Sequence, residues 1–277
     1  MDKRGKKRIG LFSMRDERVL NYCSSLIEDL SEIGVEVVLE ERTAEAIGME
    51  GKPMSEMEVD LLLVLGGDGT ILRAHRELDG REIPVLGVNF GKMGFLAEVG
   101  PEELMDSLEK FLSGDTWVDR RSKVKTQVEG KRFPDALNEV VLITEKPAKI
   151  MKFSLEIGGE YFCEFYGDGI IVSSPTGSTA YSLSAGGPLV DPRSRGLVIT
   201  PISPFKPILR PMFVPEEIEV VIRPKLKRKR ALLVIDGIEE GKIEEGEESR
   251  VSVSEKEAYF LRTGRSFYKK VREMLLK

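Results

Sequence analysis

The chain has 277 residues, 41% hydrophobic and 32% charged, with a net charge of −5. This is an ordinary globular composition, long enough to bury a sizeable core and to form about two domains, and its acidic balance gives no global reason to expect nucleic acid as a partner. A single histidine and two distant cysteines, Cys23 and Cys163, argue against a multi-histidine metal site, a Ser/His/Asp triad and a disulfide framework.

In chain order, residues 8–13 (RIGLFS) form a short apolar run. Residues 16–33 place Val19, Leu20, Cys23, Leu26, Ile27, Leu30 and Ile33 at helical spacing, and Gly34 stops the helix. A β-branched strand is expected over 35–39. Residues 59–65 (VDLLLVL) read as a buried central strand ending at the loop Gly66-Gly67-Asp68-Gly69-Thr70. A helix over 70–78, a strand over 83–88 and a helix from Pro101 to about 112 follow. Strands separated by helices predict a parallel, doubly wound sheet.

The pattern changes near residue 116. Strand-like runs at 123–128, 136–144, 153–157, 169–173, 218–223, 231–235 and 250–253, with a hairpin signal at Gly158-Gly159, predict a β-rich, sandwich-like domain. The fold expectation is an α/β domain over 1–115 and a β domain over 116–254. No apolar run is long enough to span a membrane, and the basic N-terminus is not followed by a signal-peptide core. Reduced thiols and the absence of these segments predict a cytoplasmic protein.

Four segments carry chemistry. The Gly66–Thr70 loop leaves a buried strand at the carboxyl edge of a sheet, where ligands bind in such folds. Glycine amides and the following helix N-terminus suit phosphate oxygens. An aspartate there repels anions, so Asp68 reads as a base for a hydroxyl nucleophile or as a magnesium contact; a plain turn with a capping aspartate is the alternative. Residues 87–96 (GVNFGKMGFL) place Asn89 past another strand, with Gly91 and Gly94 in a loop that either covers a ligand or makes a structural turn. Asn138 and Glu139 interrupt an apolar strand and need partners, either ligand groups or local backbone. Residues 167–188 (GDGIIVSSPTGSTAYSLSAGGP) are dense in glycine and hydroxyls, and read as a ligand-contacting loop whose 178–185 part starts a helix. The basic run at 223–230 (RPKLKRKR) lies between strands, with an acidic stretch close behind, and reads as a solvated hairpin turn.

Taken together, GGDGT, Asn138-Glu139 and the 167–188 block resemble the NAD kinase family in order and spacing, over nearly the whole chain. GGDGT alone also occurs in diacylglycerol, sphingosine and 6-phosphofructokinases; the 167–188 block is the specific part. The resemblance implies that a C-terminal tail over 255–277 rejoins the first domain, and it implies transfer of the ATP γ-phosphoryl group to the 2′-hydroxyl of the adenosine ribose of NAD, with Mg²⁺, by a homodimer or homotetramer. It implies that Asp68 is catalytic, accepting the hydroxyl proton. It places Gly67, Gly69 and Arg73 against the dinucleotide, Phe95 near its adenine, and Asn138 and Glu139 on the adenosine. Thr179, Ala180 and Tyr181 would line the adenine and ribose pocket, with Thr176, Ser182 and Leu183 in the same binding set. Asp168 and Ser184 would meet the nicotinamide end. Lys149 stands where some relatives place a phosphate-binding arginine, Tyr166 occupies another such position, and Ile238 stands where many bacterial relatives carry a polar residue. His75 is expected to be structural, since phosphoryl transfer needs positioning and charge neutralisation more than a histidine.

Overall fold

Aliphatic runs set the middle of the first sheet. The computed structural model describes residues 6–91, 94–146, 149–205, 209–225, 230–264 and 266–276, and the chain forms two compact units, Met1–Arg120 with Ala258–Lys277, and Arg121–Glu257. In the first unit, β1 (Arg8–Ser13), β2 (Glu36–Leu39), β3 (Leu61–Leu65) and β4 (Val85–Val88) lie parallel in the order β2-β1-β3-β4. All five residues of β3 are fully buried, as a strand covered on both faces requires. Helix α1 (Glu17–Glu32) turns Val19, Cys23, Leu26 and Leu30 inward, is capped by Asp16, whose carboxylate accepts the Val19 N–H at 3.3 Å, and gives way at Gly34 with φ +78°. Burial pushes the Cys23 thiol up to about 11, so it is an inert core group. Helices α2 (Glu41–Ala46), α3 (Asp68–Leu78) and α4 (Leu104–Ser113) complete the layer.

Several boundaries differ from the expectation, each for a local reason. The six-residue helix α2 is too short to show a period; Glu40 caps it by accepting the Arg42 and Thr43 N–H groups. Strand β3 starts at residue 61 because the Asp60 carboxylate takes the Arg8 N–H at 2.9 Å and Lys7 at 3.0 Å. Helix α3 begins at Asp68, two residues earlier than expected, because the Gly67 carbonyl accepts from Thr70 and Ile71.

The second unit contains β5 (Trp117–Val128, which begins in the first), β6 (Lys131–Arg132), β7 (Glu139–Thr144), β8 (Met151–Ile157), β9 (Glu160–Gly167), β10 (Gly169–Ser173), the one-turn helix α5 (Tyr181–Ser184), β11 (Gly196–Ile202), β12 (Met212–Pro215), β13 (Val220–Pro224), β14 (Ala231–Ile235), β15 (Ile238–Ile243) and the first part of β16 (Ser249–Arg262). One antiparallel sheet runs β12-β11-β10-β7-β14-β15, and β9-β8-β13-β16 form another. Leu142, Val172, Ile199 and Leu233 of the first share one core with Phe153, Leu155, Ile222 and Val251 of the second, which makes the unit a sandwich. Gly158-Gly159 (φ +61° and +81°) and Asp236-Gly237 (φ +46° and +81°) close two-residue hairpins. Strands β6, β11, β12 and β15 add to those expected, and β9 is the second arm of the expected Gly158-Gly159 hairpin.

The expected strand over 136–144 starts only at Glu139, because the Asp236 carboxylate takes the N–H groups of residues 137–139 from any ladder. Residues 226–229 of the basic run lie outside the described residues; at its ends Arg223 is held by Glu248 and Glu156, and Arg230 by Glu145. The end of β16 lies parallel to β4 through Phe260 and Val85, and α6 (Phe267–Leu275) follows in the first unit. Among the described residues no helix is long and apolar enough to cross a membrane.

Candidate active-site residues

In the first unit the strand order reverses between β1 and β3, and the crevice outside the carboxyl ends of such a pair is where open α/β sheets bind ligands. Gly66 and Asp68 lie there, directly after β3. Gly66 has φ +154°, and a Cβ on it would meet the Thr70 hydroxyl at 2.4 Å, whereas Cβ atoms on Gly67 and Gly69 would meet nothing within 4 Å. Gly66 is therefore required by the turn, while Gly67 and Gly69 leave their surroundings open to a ligand. Gly67 itself has an ordinary φ of −86°.

Asp68 is held by three consecutive amides. Its Oδ2 accepts the Phe95 N–H at 2.8 Å, and its Oδ1 accepts those of Leu96 and Ala97 at 3.2 and 3.4 Å. A Cβ on Gly94 would sit 2.1–2.4 Å from the carboxylate, so glycine is what lets this segment close on Asp68. A carboxylate has about four lone-pair sites; three are used, and the remaining one is on Oδ2. Residues 94–97 are thus part of the Asp68 site, and the plain capping alternative for Asp68 does not hold. Asn89 makes a local turn instead, its side chain bonded to Gly91 on both sides. Arg73 donates to the Ser13 carbonyl at 3.1 Å, at the carboxyl end of β1, with its guanidinium 4.6 Å over Phe12 and a buried Nε without a hydrogen bond. The Phe95 ring lies 6.4 Å from Phe267. His75 is buried with its ring 4.5 Å from Phe260, a core position.

In the second unit Asp236 pins the Asn138-Glu139 segment. Its Oδ2 accepts the Leu137 N–H at 2.7 Å, and its Oδ1 those of Asn138 and Glu139 at 2.8 and 3.1 Å. Burial raises the Asp236 carboxyl against the pull of these amides and of Lys123. Burial, and next the Asp236 charge, push Glu139 up to about 8, with the Tyr181 amide opposing. The Glu139 Oε2 is buried with no hydrogen-bond partner, the state in which a polar atom awaits a ligand or holds a proton. Ser174 closes the other side: its N–H donates to the Asn138 carbonyl and its hydroxyl to the Leu137 carbonyl at 2.6 Å. A Cβ on Gly177 would strike the Asn138 carbonyl oxygen at 2.1 Å.

The hydroxyl-rich block is largely internal, contrary to its reading as a ligand-facing loop. Ser173, Ser174, Ser178 and Ser182 are all fully buried. Ser178 donates to the Pro175 carbonyl, and Ser182 shares a 2.8 Å bond with Thr200, so Ser182 offers no hydroxyl outward. Thr176 is buried and accepts from Arg121, and the Thr179 hydroxyl bonds the Thr176 carbonyl. Tyr181 and Ser184 stay exposed; Thr179, Ala180 and Leu183 are half-buried. The expected helix over 178–185 is a 3₁₀ turn, Thr176–Thr179, followed by α5.

These residues do not all gather in one place. Asn138, Glu139 and the 174–181 turns sit at the Glu139–Ser173 end of the paired strands β7 and β10. Asp168 lies at the opposite end, where its carbonyl accepts the Thr144 N–H, and the exposed Lys149 and Tyr166 border that end. The five residues of β10 separate the two ends by about 16 Å. Ala185, just past α5, packs on Val141, Ile171 and Ile202, the outer face of the same sheet. Ile238 is exposed.

Asp236 was not among the residues singled out from sequence, nor were Lys270, Arg262 and Glu98, which back the 95–97 segment. An Asp-Gly pair between two strand-like runs was the available signal for Asp236. Among the described residues no group of three or more His, Cys, Asp and Glu is placed to hold a metal ion.

Comparison with known proteins bears on both units. Residues 17–116 match the model of the ATP-NAD kinase N-terminal domain, and residues 137–263 that of the C-terminal domain. The NAD kinase of Methanothermobacter thermautotrophicus is 39% identical over 273 residues, covering 97% of this chain and 96% of that protein. The NAD kinase of Thermococcus gammatolerans is 38% identical over 267 residues, covering 94% and 96%. The crystal structure of an NAD kinase from Archaeoglobus fulgidus in complex with ATP superposes with a TM-score of 0.78 at 28% identity, over 96% of this chain and 99% of that one. Yeast NADH kinase complexed with NADH shares the fold, with a TM-score of 0.90 at 23% identity over 99% and 88%. With both domain models matched and relatives this similar along almost their whole length, the chain belongs to the NAD kinase family, enzymes that phosphorylate NAD to NADP.

Proposed function

We propose that this chain transfers the γ-phosphoryl group of ATP to the 2′-hydroxyl of the adenosine ribose of NAD, with Asp68 as proton acceptor. The observation that carries the assignment is the hold on Asp68: three amides fix both oxygens, and the one lone pair left over is on Oδ2. A carboxylate oriented in advance needs no reorganisation when the hydroxyl arrives, which is where much of the gain from positioning lies. The proton of the 2′-hydroxyl passes to Oδ2 as the oxygen attacks the γ-phosphorus and the bond to the ADP oxygen breaks.

Gly67, Gly69 and Arg73 contact the dinucleotide, and Phe95 lies near its adenine. Asn138, Glu139, Thr179, Ala180 and Tyr181 hold the adenosine, with the open Glu139 Oε2 taking a ribose hydroxyl. Asp168 and Ser184 take the nicotinamide end, with Lys149 and Tyr166 beside it. The separation of Glu139 from Asp168 along β10 supports this division, since a dinucleotide has two ends to satisfy. Thr176 and Ser182 shape the turn from within rather than touch the ligand, and the half-buried Leu183 stays with the adenosine-binding set. Mg²⁺ commonly keeps several waters and binds through substrate phosphates with one or two carboxylates. An ion arriving in this way on the ATP phosphates would neutralise phosphate charge. The enzyme works in the cytoplasm as a homodimer or homotetramer.

The test is NADP formation by the purified protein from NAD, ATP and Mg²⁺, with NADH and polyphosphate as parallel substrates. NADP appearing only when NAD, a donor and Mg²⁺ are all present is expected. ATP consumption with diacylglycerol, sphingosine or fructose 6-phosphate, and none with NAD, overturns the proposal.

A further inference from the structure

The segment that holds Asp68 is itself held from behind by two buried cations. Lys270, on α6, donates from Nζ to the Phe95 carbonyl at 3.2 Å and to the Ala97 carbonyl. Arg262, at the end of β16, donates to the Leu96 carbonyl at 3.2 Å. Both are almost fully buried, at 4% and 5% exposure. Glu98, 1% exposed, balances them: it is 2.9 Å from Arg262 and 3.7 Å from Lys270, and it accepts the Thr263 N–H at 3.1 Å. Arg262 also reaches Asp119 at 3.1 Å.

Residues 95, 96 and 97 therefore present all three N–H groups to Asp68 and all three carbonyls to cations. Peptide dipoles aligned between a carboxylate and two cations polarise one another, and hydrogen bonds in such a chain strengthen cooperatively. Charge-assisted bonds are also about twice as strong as neutral ones. Burying two cations and a carboxylate is costly unless they are paired and fully bonded, and a solvated tail would avoid that cost. Stability alone gives a weak reason for the arrangement.

We infer that Lys270 and Arg262 are positioning residues for the phosphoryl-transfer step, setting the orientation of Asp68 through the 95–97 peptides. This rests on the reading of Asp68 as proton acceptor. Neither cation touches substrate in this account: each acts on turnover through the backbone, and neither contributes to NAD affinity.

The test is a double-mutant cycle on kcat for NADP formation, with Lys270→Gln, Asp68→Asn and the pair. Lys270 is the better site, because its loss leaves Glu98 still bonded to Arg262. Expected is a drop in kcat of about tenfold or more for Lys270→Gln, with KM for NAD within about threefold and a further loss under about threefold in the Asp68→Asn background. Lys270→Arg, which keeps the charge, should recover most of kcat. Should Lys270→Gln fail to fold, Arg262→Gln takes its place in the cycle, with the same lack of additivity expected. Multiplicative losses in the double variant, or a raised KM at unchanged kcat, overturn the positioning role while leaving Asp68 in place. Near-native turnover of Asp68→Asn alone overturns the proton-acceptor reading, and the inference falls with it.

Discussion

Asp68 and Asp236 are held by the same device and serve different ends. Each carboxylate accepts three consecutive backbone N–H groups, one on Oδ2 and two on Oδ1. The difference lies behind the amides. The carbonyls of residues 95–97 go to Lys270 and Arg262, whereas those of 137–139 go to neutral partners: the Ser174 hydroxyl, the Ser174 N–H and the Asp236 N–H. Asp236 sits in a tight Asp-Gly hairpin, and its effect is to fix a strand start and present Asn138 and Glu139. Asp68 starts a helix beside open glycines and is itself what is presented. One triplet immobilises the backbone around a half-buried acid; on the function proposed above, the other orients an acid for use.

The sharpest way to break this comparison is Asp68→Asn. An amide cannot take up the hydroxyl proton, so turnover should fall by at least about 10²-fold while NAD binding by calorimetry persists. Turnover near the native value removes Asp68 from the chemistry and makes both triplets structural. Gly94→Ala probes the same carboxylate without changing its charge. Its backbone tolerates a side chain, but the new methyl must displace the Asp68 carboxylate, 2.1–2.4 Å away. A shift near 1 Å in a reacting group costs on the order of 10²-fold, so kcat should fall about 10- to 100-fold with the melting temperature little changed. An unchanged kcat shows that the orientation of Asp68 is not limiting.

What could be read from sequence followed from local physics. The buried strand 61–65, the glycine loop after it and the helix spacing of α1 are short-range signals, and they located Asp68 at a sheet edge. The partners of Asp68 were out of reach, because they are backbone N–H groups far along the chain and any residue type supplies one. Lys270 lies in YKKVR and looks like a surface lysine; only the packing of α6 shows it buried. The block over 167–188 stands out in sequence by its glycines and hydroxyls, but most of those hydroxyls are internal. Serine is small enough to hide its hydroxyl in the interior by bonding to nearby carbonyls, as Ser174 and Ser178 do, so density of hydroxyls does not by itself mean exposure.

Asp236→Asn should separate the two triplets by phenotype. The amide presents a donor to at least one backbone N–H, and an unmet buried bond to a charged group costs about 1.5–3 kcal/mol. A lower melting temperature and a raised KM for NAD are expected, with kcat changed less than about tenfold. A loss of kcat as large as that of Asp68→Asn, at native KM, ends the distinction drawn here.

The smallest effect concerns Glu139 and is read as a pH dependence of stability. Burial and the neighbouring Asp236 charge raise its carboxyl from 4.5 to about 8. The folded chain therefore keeps a proton that the unfolded chain has released throughout the interval between those values. Where the folded state binds more protons, stability falls as pH rises. The contribution of Glu139 is fully present below about pH 4.5 and is lost on the way to pH 8. Glutamine mimics the protonated form and does not titrate, so Glu139→Gln should flatten that decline: little change against the native chain at pH 5, and a higher melting temperature at pH 8. NAD, by giving the buried Oε2 a hydroxyl partner, should narrow the difference at pH 8. Parallel melting curves for the two proteins from pH 5 to 8 would show that Glu139 is ionised in the folded chain across that range.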